Sequence, residues 1–134
     1  MTEIRSARVD DGAALSELWA GVGLEVIDPE HYGALVANPS TLVLVAEDEG
    51  APVAAAIASF DGWRAQIYHV AVLEPFRHRG LARDLMTAAE AELRKLGVHA
   101  IHVTVEQKNA GGLALSYSMG YAPQDEAALK KSIA

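Results

Sequence analysis

A chain of 134 residues, 51% of them apolar, suits one domain with a hydrophobic core. The absence of cysteine excludes disulfides and thiolate metal ligands, and a net charge of −7 argues against general affinity for nucleic acid, which needs a basic face. The sequence has neither a signal peptide nor an apolar run that could span a membrane, so we expect a cytoplasmic protein without membrane contact.

Apolar periodicity predicts an alternating order of strands and helices. Strands are expected over residues 3–8, 41–48, 51–60, 66–73, 98–106 and 129–133, with a further extended segment after Tyr121. Helices are expected over residues 11–21, 29–37, 81–96 and 109–119. Asp10, Asp28 and Asn109 are the expected residues at the starts of the first, second and fourth helices. This order predicts a mixed α/β domain.

Positive charge is concentrated in RHRGLA, residues 77–82, between a predicted strand and a predicted helix. The first turn of a helix has unpaired N–H groups and a positive dipole end, which together attract anions. Gly80 and Ala82 would let a ligand oxygen approach the backbone, and Arg77, His78, Arg79 and Arg83 would add donors. This pattern predicts a pyrophosphate site. The alternative interpretation is a solvated helix start with scattered arginines.

At these residues the chain resembles the GNAT superfamily of acetyl-CoA-dependent N-acetyltransferases, in particular its small bacterial single-domain members. The segment from Arg77 to Ala82 matches the pattern Q/R-x-x-G-x-G/A between a strand and a helix. A second match is Asn109, followed by a helix and Gly120-Tyr121. The resemblance implies one domain over residues 1–134. It also implies a mixed, mainly antiparallel sheet of six to seven strands, flanked by about four helices, with strands 4 and 5 splayed into a V.

The resemblance implies an acyltransferase that moves acetyl from acetyl-CoA to a primary amine by direct attack, through a tetrahedral intermediate and without a metal. Backbone groups of Val70 and Val72 would bind the acetyl group and the pantetheine arm, and Asn109 would contact the pantetheine. The pyrophosphate would be held by Arg77, His78, Arg79, Gly80, Leu81, Ala82 and Arg83. The acceptor would be a small molecule or a peptide, and a homodimer is common in the family. A CoA-binding module with weak or no catalysis is the alternative function.

The residue expected to donate a proton to the departing thiolate differs from the family pattern. The family often has a tyrosine seven residues after the asparagine, whereas this chain has Ser116 there and Tyr117 one position later. Tyr117 is about 100° around the helix from that position. A distorted helix could bring Tyr117 to the sulfur, Ser116 could act with a water molecule, or no acid is needed.

An attacking amine must be neutral, so a general base is expected. The candidates are His69, Glu106 and Glu74. His69 has a suitable intrinsic pKa, but strand alternation places it on the face opposite Val70 unless a bulge changes the alternation. Each candidate also has an ordinary structural explanation, as a packed strand histidine, a solvated strand end or an exposed turn acid. The acids of the loop before Glu30, including Glu25, could hold a cationic amine, which the net charge of −7 would also attract.

Overall fold

The structure, a computed structural model, describes residues 2–133 and contains one five-stranded sheet with helices on both faces. The strands are β1 (Thr2–Ser6), β2 (Thr41–Asp48), β3 (Ala51–Phe60), β4 (Ala65–Val72) and β5 (Ile101–Val103). The helices are α1 (Gly12–Gly21), α2 (Pro29–Ala37), α3 (Leu81–Arg94) and α4 (Ala110–Ser118), and two 3-10 turns cover Val9–Asp11 and Glu74–Phe76. The strands lie in sequence order, antiparallel except for the parallel pair β4–β5.

The prediction of six to seven strands is wrong, because the described residues form five. Residues 119–133 form no strand, and the two apolar side chains of the predicted strand 129–133, Leu129 and Ile133, are 93% and 86% exposed. A strand there would bury no apolar side chain, so packing gives it no stabilisation. The predicted strand 98–106 is shortened to Ile101–Val103, because residues 98–100 complete the connection from α3 and residues 104–106 leave the ladder.

Small residues in the central strand let the helices pack closely on both faces of the sheet. Ala54, Ala55, Ala56 and Ala58 of β3 are all essentially buried. One face packs against Leu15, Leu18 and Trp19 of α1, and the other packs against Leu81, Leu85, Ala89 and Leu93 of α3. Burial of these side chains supplies most of the driving force for folding, at about 25 cal/mol per Å² of apolar surface.

Asp11 is the residue immediately before α1, so the assignment of Asp10 to that position was wrong, although the Asp11 carboxylate accepts no N–H group of α1 itself. A carboxylate oxygen of Asp11 accepts the Arg8 N–H at 2.7 Å, and the Arg5 guanidinium donates to both Asp11 oxygens at 2.8 and 3.0 Å. Arg5 also donates to Glu47 at 2.8 Å. Asp11 is only 6% exposed, whereas Asp10 is exposed. Asp11 therefore ties β1, β2 and α1 together. The expected cap of α2 is confirmed, since Asp28 accepts the His31 N–H at 2.9 Å.

Within residues 2–133, no helix has both the length and the apolar content that a membrane span needs. In the same part of the chain, no three histidine or acidic side chains are grouped as they would be around a metal ion.

Candidate active site

A cleft opens where β4 and β5 separate. The two strands pair over only three positions, from Ala65 with Ile101 to Ile67 with Val103, followed by a bond from the Thr104 N–H to the Ile67 carbonyl at 3.2 Å. Residues 69–72 and 103–106 then line opposite sides of a cleft of about 840 Å³. The start of α3, the start of α4 and the loop after α1 complete its walls. This volume suits a sizeable organic ligand.

A β-bulge at His69 shapes the β4 side of the cleft. The register between β3 and β4 shifts between Ala55 and Ile57, so that His69 and Val70 lie opposite one residue of β3. His69 has a φ of +53°, which costs a non-glycine residue about 1 kcal/mol. Its carbonyl accepts the Trp19 indole N–H at 3.0 Å, and its ring packs edge-on against Trp19 with centroids 5.4 Å apart. These contacts hold the strained backbone in place.

The bulge leaves backbone groups of β4 directed toward β5. The Leu73 N–H donates to the Val53 carbonyl on β3 at 2.9 Å. Because successive residues of a strand direct their backbone groups to opposite sides, the N–H and C=O groups of Val70 and Val72 point into the gap between β4 and β5. The Val72 carbonyl accepts from the Arg77 Nε at 3.1 Å. The Val70 peptide groups therefore face the cleft.

The start of α3 forms the positive end of the cleft. Gly80 precedes the helix in the left-handed conformation, with φ of +80°, and its carbonyl accepts the Asp84 N–H at 2.9 Å. The N–H groups of Leu81, Ala82 and Arg83 precede that first helical bond, so they lie outside the helix ladder. No heavy atom lies within 4 Å of the position that a Gly80 Cβ would take. The backbone here is open to an anion and would be obstructed by a side chain.

Three cationic side chains line the cleft: Arg77 and Arg83 at this helix start, and Lys108 in the connection between β5 and α4. Arg83 also donates to the Ser118 hydroxyl at 2.7 Å, which joins α3 to α4. Of the predicted binding residues, the lining includes Val70, Val72, Arg77, His78, Gly80, Leu81, Ala82, Arg83 and Asn109. Arg79 lies outside that lining, with its guanidinium stacked 5.0 Å from the centre of the Phe76 ring.

Asn109 both lines the cleft and caps α4. Its side-chain oxygen accepts the Gly112 N–H at 2.9 Å, as the sequence predicted for a helix start. A Cβ on Gly112 would lie 2.6 Å from the Asn109 side-chain nitrogen and 3.0 Å from a Val105 methyl carbon. Gly112 therefore lets α4 approach the end of β5, with the Asn109 amide held at the cleft wall.

Ser116 and Tyr117 occupy different surroundings on α4, which is a regular helix from Ala110 to Ser118. Ser116 is 5% exposed, lines the cleft, and donates its hydroxyl proton to the Gly112 carbonyl at 2.9 Å. Tyr117 is 51% exposed and is not part of the cleft lining. The helix shows no distortion that would direct Tyr117 inward.

His69 and Glu106 lie on opposite sides of the cleft. The His69 side chain contacts Trp19 and Tyr68 on the α1 face, whereas Val70 packs with the α3 cluster. The bulge thus leaves these two side chains on opposite faces of the sheet. The His69 Nε2 lies 2.9 Å from the Glu25 carbonyl, which only accepts, so Nε2 carries the proton and Nδ1 is the basic nitrogen of the neutral ring. Glu106 is 3.8 Å from the Lys108 ammonium.

Gly120-Tyr121, the second matched motif, fastens the end of α4 to α3. Gly120 has a φ of +97°, and the Tyr121 hydroxyl donates a short hydrogen bond to the Glu90 carboxylate. Burial, with the Glu90 carboxylate beside it, raises the pKa of Tyr121 well above its usual range. A smaller cavity of about 290 Å³ lies beside this pair. The motif is therefore structural support for the cleft wall.

The loop that contains Glu25 was expected near the acceptor only from the family resemblance, and sequence reasoning missed which of its residues form the far wall of the cleft. Val22 and Leu24, from the loop after α1, line the cleft, and the Glu25 carbonyl fixes the His69 ring. These contacts join residues 44 positions apart, so no local spacing marks them. A glycine-containing loop after an amphipathic helix was the only available signal.

Comparison with known proteins finds one matching family, a relative in sequence and similar solved structures. A family model described as Acetyltransferase (GNAT) family matches residues 13–121. An acetyltransferase of Pectobacterium atrosepticum is 31% identical over 98% of this chain and 95% of its own length. The structure resembles an acetyltransferase from Salmonella typhimurium solved with acetyl-CoA, at 26% identity and TM-score 0.76, over 90% of this chain and 79% of that one. It also resembles a soil metagenomic aminoglycoside acetyltransferase solved with sisomicin, at 19% identity and TM-score 0.84, over 99% and 97% of the two chains.

Proposed function

The chain belongs to the GNAT family of acetyltransferases, and on that premise we propose that it transfers the acetyl group of acetyl-CoA to a primary amine. One observation carries the proposal. The cleft between β4 and β5 joins an anion-attracting helix start at one end to the free peptide groups of Val70 at the other. A thioester carried on a long phosphorylated arm has the two complementary features, namely phosphates for the helix start and a carbonyl group for the Val70 peptide groups. Acetyl-CoA supplies an activated acyl group with thiolate as its leaving group.

The pyrophosphate fits the α3 end of the cleft. The free N–H groups of residues 81–83 would bind its oxygens, and Arg77, Arg83 and Lys108 would offset its charge. The chain as a whole carries a charge of −7, so this local basic cluster needs an anionic partner to explain it. Asn109 lies between the two ends and would contact the pantetheine arm.

The reacting carbonyl would lie against the bulge of β4. The Val70 N–H is fixed by the bulge and would stabilise negative charge on the carbonyl oxygen, a contribution typically worth about 3 kcal/mol in acyl transfer. Because the protein holds this peptide group before the reaction begins, little reorganisation is needed when the charge develops.

The amine would enter from the His69 side of the cleft. His69 has its ring fixed by the Glu25 carbonyl and its Nδ1 available as a base, directly or through water. Glu106 is the other candidate base, although its carboxylate neighbours the Lys108 ammonium. The acidic side chains of the loop before Glu30, including Glu25, favour a cationic amine over a neutral or anionic acceptor.

The proton for the departing thiolate would not come from Tyr117. We expect Tyr117→Phe to change kcat less than about twofold, because this half-exposed side chain lies outside the cleft. We expect Ser116→Ala to lower kcat about tenfold through loss of a buried hydroxyl on the cleft wall. Steady-state kinetics of both variants at saturating acetyl-CoA test this. A loss of 100-fold or more in Tyr117→Phe alone would assign the proton to Tyr117 instead.

The decisive test of the proposed function combines binding with turnover. Acetyl-CoA should raise the melting temperature, since a ligand that binds only the native state stabilises it by about 2.7 kcal/mol at 100 times its Kd. Thiol release should then appear with members of a panel of primary amines, including diamines, amino acids and peptides. No thermal shift at millimolar acetyl-CoA would contradict the proposal.

A second function, a CoA-binding module without catalysis, is favoured by one observation. The hydroxyl at position 116 already donates to the Gly112 carbonyl, and Tyr117 faces away from the cleft, so no obvious acid is available. A thermal shift without thiol release across the whole amine panel would support this function. Turnover with any single amine would exclude it.

A further inference from the structure

We propose that Lys130, in the segment after α4, is an intramolecular acetyl acceptor of this chain. The Lys130 ammonium lies 3.4 Å from a carboxylate oxygen of Glu25, although the two residues are 105 positions apart. The Glu25 carbonyl in turn holds the His69 ring at 2.9 Å. A primary amine of the chain itself is thus held on the residue that contacts the proposed base. The inference rests on the proposed acetyl-transfer function and names one substrate for it.

Lys130 lies in a segment without regular structure, which favours the movement of its amine that this reaction needs. Residues 122–133 form no helix or strand, and Lys130 and Glu25 are 76% and 73% exposed in their side chains. An exposed ion pair of this kind is weak, so the ammonium can leave Glu25 readily. A short chain segment of this sort gives a tethered amine an effective concentration in the millimolar range.

The four lysines of the chain differ in their relation to the cleft. Lys95 pairs with Glu92 on α3 at 3.0 Å. Lys108 also lines the cleft, and its ammonium lies 3.8 Å from a Glu106 carboxylate oxygen. Lys131 directly follows Lys130 and shares its exposure. Selectivity for Lys130 over Lys131 therefore measures the contact with Glu25, because both amines have the same tether.

The reaction balances without any further reagent. The Lys130 ammonium loses a proton to His69 or to solvent, and the neutral Nζ attacks the thioester carbonyl. The new C–N bond gives a tetrahedral intermediate, which collapses as the C–S bond breaks. The nitrogen gives up its second proton, and the thiolate takes up one proton to leave as free CoA. The products are Nε-acetyl-Lys130 and CoA, and the chain loses one positive charge together with the ion pair to Glu25.

The test is incubation of the full chain with isotopically labelled acetyl-CoA, followed by intact mass and fragmentation of the peptide after Glu126. We expect one acetyl group on Lys130, about threefold faster than on Lys131, with a first-order rate that is unchanged on tenfold dilution of the protein. Glu25→Gln should slow labelling of Lys130 about threefold. Lys130→Arg should remove the label but keep thiol release with free amines.

Three results would overturn the proposal. Labelling of Lys130 and Lys131 at equal rates, or labelling that persists in Gly80→Glu, would indicate chemical acetylation in solution. A rate proportional to protein concentration would indicate transfer between molecules. An unlabelled Lys130 in a protein that acetylates free amines would refute this inference alone. An unlabelled Lys130 without an acetyl-CoA thermal shift would refute both this inference and the proposed function.

Discussion

Gly80→Glu is expected to abolish detectable acetyl-CoA binding, with a loss in affinity of at least about 100-fold. Gly80 lines the cleft at the start of α3, and no heavy atom lies within 4 Å of the position that its Cβ would take. A glutamate side chain would place a negative charge at the site where we propose that two phosphates bind. At about 4 Å, two such charges repel by about 4 kcal/mol at the effective dielectric constant of a protein surface.

The matched control is Gly97→Glu. Gly97 follows α3 with φ of +83°, nearly the same backbone conformation as Gly80, and no heavy atom lies within 4 Å of its Cβ position. Both variants therefore carry a similar strain of about 1–2 kcal/mol, but only one lies at the cleft. Titration calorimetry and thermal melting with acetyl-CoA separate the two effects. Equal loss of affinity in both variants would show that strain, and not the phosphate site, controls binding.

Asp11→Asn is expected to lower the free energy of unfolding by about 3 kcal/mol, the largest stability effect we predict for a single polar side chain. Breaking a buried ion pair leaves its partner charge uncompensated, which costs about 3–5 kcal/mol. The cost falls at the lower end of that range because Arg5 keeps its bond to Glu47. Asp10→Asn is the control: its exposed carboxylate is 3.6 Å from Arg8, so its removal should cost less than about 0.5 kcal/mol. Urea denaturation at pH 7 measures both.

The lowered pKa of Asp11 also predicts that the free energy of unfolding depends on pH. The hydrogen bonds from Arg5 are the main cause that holds the pKa of Asp11 below its usual value. A carboxyl with a lowered folded-state pKa stabilises the protein fully above its unfolded pKa of about 4, and that stabilisation is lost as pH falls through the folded-state pKa. Wild type should therefore lose stability below pH 4 more steeply than Asp11→Asn. Because Asp28 and Asp61 also have lowered pKa values and remain in both proteins, parallel curves would assign the acid sensitivity to those two exposed carboxylates.

The sequence predicted the elements and motifs whose signals are local. The charge and glycine of RHRGLA marked the start of α3, and Asn109 marked the cap of α4, because each acts on its own helix turn. The family resemblance implied a splay between strands 4 and 5, and a bulge at His69 was considered, but the positive φ of His69 was not predictable from the sequence. A histidine with positive φ depends on the indole N–H of Trp19, 50 positions earlier, and no glycine marks the site.

The two failures in the fold have a related cause. The apolar residues at both ends of the segment 129–133 are compatible with a short strand, but only tertiary burial decides whether such a segment pairs, and Leu129 and Ile133 are not buried. Asp10 and Asp11 are equally good caps by residue type. The choice between them is made by Arg5, which approaches from β1 and bonds to Asp11.

The indole of Trp19 has a consequence for how this protein can be observed. The chain has two tryptophans, and Trp63 is 78% exposed at a hairpin tip, whereas Trp19 is fully buried and bonded to the bulge. An indole is a fluorophore whose emission responds to nearby charge, and an imidazolium is an effective quencher of it. With Trp63 replaced by phenylalanine, the emission of Trp19 would report optically on the protonation of His69 and on the geometry of the strand that it supports. Trp19 is thus a native spectroscopic probe in direct contact with His69, the candidate catalytic base.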